Sequence, residues 1–356
     1  MAQVGEGFSD GGSVSRAFAN QVAYCRANGA PVTARVVAAV AALLDDADPA
    51  AFVRRIRDWA GAPLADALPL RSAGGLHALH RSGRAPALAP IYSGEPADDG
   101  AVIAQAARDH EAFLLPWLDG PPQTNEAGRS WGFAAAMLWL ANEGLPPHFE
   151  CLEIGSSAGI NLMMDRYAYD LGGVTLGPAN PAMRFAPEWR GASPPDRDIE
   201  ILSLAGCDVA PLDLADPAQA CRLQAYIWPE HTVRFERLDA AIAAARTKKP
   251  DLVRQNAADF VEQRLALPQA EGTTRVLMHS VVWQYVPQDQ KARIVAALEA
   301  HGAKATSGRS LAWVELEADR TLLAHGLRVR HWPGGAEPRT LAAAHAHGAN
   351  VEWLAG

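Results

Sequence analysis

The hydrophobic period of this chain changes once, near residue 148, and that change restricts the fold more than any single motif. Upstream, apolar residues recur at three- and four-residue spacings over 14–28, 32–44, 50–59, 68–80 and 99–118, the pattern of amphipathic helices. Asp48-Pro49 reads as an N-cap followed by proline at the first helical position. Nothing before residue 149 reads as a strand. Downstream, strand candidates at 149–154, 200–207, 251–254, 274–282, 311–317, 327–331 and 351–354 are separated mostly by helical stretches at 161–169, 217–226, 233–246, 259–265 and 288–301. Strands alternating with helices imply a mostly parallel sheet with helices on both faces. The expected fold is therefore α/β, a mostly parallel sheet of seven strands over 123–356, behind an α-helical N-terminal domain over 1–122. The stretch near 170–198 is rich in Gly and Pro and too long for an ordinary connection, so it reads as an insertion.

Composition narrows the function classes. Hydrophobic residues make up 49% and charged residues 20%, which supports a packed core. A net charge of −8 and a pI near 5.8 argue against a nucleic-acid partner. No apolar stretch approaches the ~18 residues of a membrane span. Residues 1–12 carry neither a basic nor an apolar leader region, and the 4 cysteines form no C-x-x-C pair. A cytoplasmic protein without disulfides or a membrane partner is expected, and the histidines lack the spacing of a metal site.

The chemistry concentrates in HFECLEIGSSAGINLMMD (148–165), which reads as strand, glycine turn and helix. That order presents backbone N–H groups to a ligand. Glu153-x-Gly155-x-x-x-Gly159 resembles the cofactor turn of class I S-adenosylmethionine methyltransferases. In that pattern Gly155, Ser156 and Gly159 let the backbone approach the cofactor, and Glu153 contacts the methionine ammonium or orders the loop. Asp208, just past the next strand, accepts the ribose hydroxyls. Asp259 and Phe260 in NAADF serve the adenine, and Ser280 stands near the end of the fourth strand, above the methyl group. Arg129, in QTNEAGRS (123–130), pairs with the methionine carboxylate. His279 is the candidate base and Tyr285 orients the acceptor. Spacing departs from related sites: Asp208 lies 49 residues beyond Gly159, against roughly 20.

QTNEAGRS, LEIGSSAGINLMMDRYAYDLGG (152–173), GCDVAPLD (206–213), AYIWPE (225–230), HSVVWQYVP (279–287) and HWPGG (331–335) occur in this order. Together they closely resemble an uncharacterised bacterial family, domain of unknown function 2332, over about residues 18–353. The resemblance implies a methyltransferase-type Rossmann domain behind a helical region, with S-adenosylmethionine as cofactor and an unidentified small molecule as acceptor. Two other readings fit the letters. Gly155-x-Ser157-x-Gly159 matches the nucleophile elbow of α/β-hydrolases, with Ser157, Asp259 and His279 in triad order. A protein that binds S-adenosylmethionine or a nucleotide without turnover is the other. QTNEAGRS also reads as a helix start, with Thr124 or Asn125 as cap supported by Glu126.

Overall fold

The computed structural model describes residues 13–355, so the N-terminal stretch read above as lacking a leader lies outside the described residues. The chain forms two compact units, one running through Thr124 and taking in Pro217–Glu236, the other Asn125–Asp216 with Arg237–Gly356.

The first unit contains α1 (Val14–Ala27), α2 (Pro31–Ala42), α3 (Ala51–Arg57), α4 (Leu68–Arg81), α5 (Ala89–Tyr92), α6 (Asp99–Asp109) and α7 (Glu111–Leu114). Their apolar stripes meet in one core around Phe18, Val40, Phe52, Leu68, Leu76 and Ile103. The expected Asp48-Pro49 cap does not form. Helix α3 starts at Ala51 behind Ala50, and the Ala51 N–H donates to Glu111 instead. Segment 217–236 closes this unit. The Glu230 carboxylate accepts from Val32 N (2.6 Å), Thr33 N (3.1 Å) and Thr33 Oγ1 (3.1 Å), capping α2 from 197 residues away along the chain.

The second unit is a mixed α/β structure built on a large, mostly parallel sheet. Helix α8 (Ser130–Asn142) leads into β1 (His148–Ile154). After β1 come β2 (Tyr167–Leu171), β3 (Val174–Leu176), β4 (Met183–Phe185), β5 (Glu188–Arg190) and β6 (Glu200–Asp208). Past α9 (Pro217–Ala225) and α10 (Thr232–Thr247), β7 (Asp251–Arg254), α11 (Ala257–Leu265), β8 (Thr273–Ser280), α12 (Gln288–Gly302) and β9 (Arg309–Asp319) alternate. The chain ends in β10 (Ala324–Trp332), β11 (Gly335–Ala344) and β12 (Asn350–Trp353).

The main sheet has nine strands, not the seven expected, in the order β5-β12-β11-β10-β9-β8-β1-β6-β7. Strands β7, β6, β1, β8 and β9 run parallel, and β10, β11 and β12 follow as antiparallel neighbours. The additional strands are the short β5, which pairs with β12, and β11, which joins β10 to β12.

The connection from β1 to β6 corrects the sequence reading most. Residues 161–169 do not form an α-helix. Asn161–Arg166 is a six-residue 3-10 helix that runs straight into β2. Strands β2, β3 and β4 then make a separate three-stranded sheet, while β5, within the stretch read as an insertion, joins the main sheet beside β12. Tyr167 donates its OH to Ile160 O (2.8 Å) and Tyr169 to Ser130 Oγ (3.0 Å), contacts made at strand spacing rather than helical spacing.

Helices α11 and α12 cover one face of the sheet, where Leu152, Ile154, Cys207, Leu277 and Trp313 meet Phe260 and Ile294. Helix α8 covers the other face, against β9 and β10. Residues Ser130 to Leu140 of α8 are all buried, as expected of a helix that is apolar all round. Among the described residues no helix is long and apolar enough to cross a membrane.

Candidate functional site

Parallel strands present their carboxyl ends and following loops on one edge, and a crevice opens where successive crossovers leave in opposite directions. Here that point lies between β1 and β8: from β1 the chain moves outward to β6 and β7, then returns to β8 and β9 on the other side. The glycine turn follows β1 at this place. Gly155 and Gly159 have φ of +66° and +72°, the left-handed region where a side chain is strained. A side chain at Gly155 would also run into Val282, from the loop after β8.

The amides of the turn are satisfied within the protein. Ser156 N donates to Cys207 O (3.0 Å), Ser157 N to Asp208 Oδ2 (2.8 Å) and Gly159 N to Ser156 O (2.7 Å). Ala158 N and Ile160 N both donate to Asn125 Oδ1, at 3.3 and 3.1 Å. Asn125 is therefore not a cap of α8 but a brace on the glycine turn, a contact hidden by 33 residues of intervening chain. Glu126 makes the cap instead, accepting from Gly128 N (3.0 Å) at the 3-10 turn Ala127–Arg129. Glu126 also accepts from Arg237 Nη1 (3.3 Å). Arg129 is 5% exposed and donates from Nε to Ala346 O (2.9 Å).

Among the described residues, three side chains at the turn keep a buried polar atom without a protein partner. These atoms are Glu153 Oε2, Ser157 Oγ and Asn161 Oδ1. Glu153 is 2% exposed, and its other oxygen accepts from Asn161 Nδ2 at 2.7 Å. Burial pushes its carboxyl up to about 7, against opposing contributions from Asn161, Ser156 and Arg129. Asp208, half-buried at the end of β6, accepts from Ser157 N and Ala210 N (both 2.8 Å), one bond on each oxygen. A carboxylate oxygen has two lone pairs, so both keep one in reserve.

Side-chain alternation divides the residues that the sequence reading had grouped. Glu153 pairs with Gly206 and Met278 in register and points away from the α11–α12 face, and Ser280 shares its side of β8 with Met278. His279 lies on the α11–α12 face with Leu277 and Trp313. There it is fully buried. Its Nδ1 meets Glu317 Oε1 at 2.7 Å, and Trp313 Nε1 donates to its Nε2 at 3.0 Å. Indole N–H only donates, so Nε2 is the acceptor and Nδ1 carries the proton. Neither ring nitrogen is left for a substrate. Trp283 stacks on the ring at 5.1 Å. Glu317 accepts further from Val282 N (3.0 Å) and Trp283 N (3.1 Å). Burial alone would raise its carboxyl, but His279 and these two amides hold it below the usual range. Sequence reasoning missed Glu317 as this network's centre, because it lies 38 residues beyond His279.

Phe260 is 1% exposed and packs into the same apolar face, so it lines the core. Asp259 sits in the first turn of α11, bound to Asn256 Nδ2 (2.5 Å) and Arg293 Nη2 (2.7 Å), and the Arg293 bond draws its carboxyl down. The triad Ser157, Asp259, His279 is not assembled, since Asp259 and His279 are engaged elsewhere and Ser157 Oγ touches no acceptor or base. Ser157 does adopt φ +54°, as an elbow serine would, but its N–H bond to Asp208 accounts for that turn. Tyr285, 61% exposed, stands in the loop after β8.

A family model of uncharacterised proteins conserved in bacteria, domain of unknown function 2332, matches residues 15–353. The chain belongs to this family. No curated protein and no solved structure matches it. Two of the segments that carry the resemblance brace the turn: QTNEAGRS supplies Asn125, and GCDVAPLD supplies Asp208.

Proposed function

We propose that this protein is an S-adenosylmethionine-dependent methyltransferase acting on a small molecule. The observation that carries the reading is Asp208. It ends the strand beside β1, is fixed by one backbone N–H on each oxygen, and retains the acceptor capacity that a ribose diol requires. Glu153 supports the reading, because an ammonium group is a natural donor to its Oε2. The turn fits less well at the carboxylate end of the cofactor, where Asn125 already holds two amides. S-adenosylmethionine would supply a methyl group on a sulfonium, displaced in line by an acceptor lone pair.

The chain's own task is then alignment and exclusion of water. Asp208 and Glu153 fix two ends of the ligand, and the brace from Asn125 keeps the turn rigid. Tyr285, exposed at the same edge, orients the acceptor. His279 takes no proton in this scheme, so the acceptor is one that reacts from a lone pair already available. Calorimetric titration with S-adenosylmethionine and S-adenosylhomocysteine tests the reading. Binding of both is expected, with Asp208→Asn weakening each by about 1.5–3 kcal/mol, the scale of hydrogen bonds to a charged group. A folded sample that binds neither removes the methyltransferase assignment.

A further inference from the structure

The pairing of Glu153 with Asn161 leaves a specific imbalance. Asn161 donates one N–H to Glu153 Oε1, and the atoms left over, Glu153 Oε2 and Asn161 Oδ1, are both acceptors buried without a partner. Two acceptors have nothing to offer each other. One added proton turns them into a donor and an acceptor.

We propose that Glu153 is protonated in the ligand-free protein, its Oε2–H serving Asn161 Oδ1, and that it releases this proton to solvent when a cationic ligand docks at the glycine turn. The second half rests on the methyltransferase reading, whose cofactor carries an ammonium and a sulfonium; the first half does not. The groups facing Glu153 favour this exchange. Asp208, on β6, opposes its ionisation, and Arg129, ahead of α8, favours it. Tyr167 on β2, Cys151 on β1 and Cys207 on β6 are all raised by burial and remain neutral. With the carboxyl's midpoint held at about 7, the ligand-free site keeps its proton in mildly acid solution, and an incoming positive charge is the element that displaces it. Below that midpoint the site therefore exchanges one positive charge for another, and the buried carboxylate does not stand uncompensated.

Infrared difference spectroscopy between about pH 6 and about pH 8.5 tests the ligand-free half, since an ordinary carboxylate is already ionised across this range. The carbonyl stretch of a protonated carboxyl should bleach in the wild-type protein and be missing from Glu153→Gln. The wild-type spectrum is informative even if the variant misfolds, because absence of any bleaching band overturns the proposal. Titration of S-adenosylmethionine at about pH 6 in two buffers of different ionisation enthalpy tests the other half, with release of about one proton per molecule bound expected. Glu153→Gln should bind with no release. Binding with equal proton release in both proteins, or with none in either, overturns the coupling. A titrating carboxyl band without any binding upholds the protonated Glu153 and defeats the methyltransferase reading alone.

Discussion

Glu153 and Glu317 are both buried, at 2% and 7% exposure, near the carboxyl ends of strands in the same sheet, yet their carboxyls are driven in opposite directions. Glu317 has an imidazole N–H and two amides aimed at one oxygen, and these outweigh the cost of burial. Glu153 has a single carboxamide donor on one oxygen and nothing on the other. Burial does not decide the charge of a carboxyl; the number of donors that survive burial does. The first glutamate suits a site that must respond, the second a scaffold that must not.

The comparison fails most visibly if Glu317 proves dispensable. Glu317→Ala strands three donors in the apolar face and is expected to cost about 3–5 kcal/mol in denaturant unfolding, the scale for breaking a buried pair; a loss below about 1 kcal/mol would make the network ornamental. Glu153→Gln should act the other way. Its Nε2–H mimics the protonated acid, so it relieves a penalty that wild type carries only at higher pH. Below the ordinary carboxylate value of 4.5 the group holds a proton whether folded or not, and wild type and variant match. From there to about 7 the native state binds a proton that the unfolded chain has lost, so wild-type stability falls as pH rises. At pH 8 the variant should be more stable by about 3 kcal/mol, and an equal stability at pH 5 and pH 8 would count against the raised carboxyl.

Trp313→Phe sharpens the Glu317 side. It removes the N–H that donates to His279 Nε2 and should cost about 1 kcal/mol in denaturant unfolding. Ser157→Ala is the smallest change on the Glu153 side. Its hydroxyl has no partner, so less than about 0.5 kcal/mol is expected, with no labelling of the wild type by a fluorophosphonate probe. Labelling at Ser157 would restore the elbow.

The same contrast explains which features were legible beforehand. Helices before residue 148 and the five parallel strands announce themselves through local periodicity, because a stripe or an alternation needs only its own neighbours. Strand β11 does not, since GAEPRTLAAA holds a proline and four alanines and is extended only because β10 and β12 flank it. The 161–169 stretch is apolar in a run rather than a pattern, and tyrosine contacts to distant backbone and to Ser130 decide for a strand. Site residues were harder. Glu153, Asp208 and the glycines lie together at one edge of the sheet. His279 and Phe260 are near in sequence logic but lie on the opposite face, because one residue along a strand reverses direction. Asn125 and Glu317 were invisible as partners, since nothing local links them to Ala158 or His279.

The short 3-10 helix after β1 has an electrical consequence. An α-helix beginning at a glycine turn gathers its peptide dipoles into a partial positive charge, which is what draws a pyrophosphate to such turns. Six residues of 3-10 helix followed by a strand sum to no comparable field. The sign of the potential is left to side chains, and Glu153 and Asp208 are the two carboxyls on the turn. On the methyltransferase reading proposed above, a nucleotide carrying phosphates would find little reward there, whereas a nucleoside whose charge is positive would be met by acids at both ends.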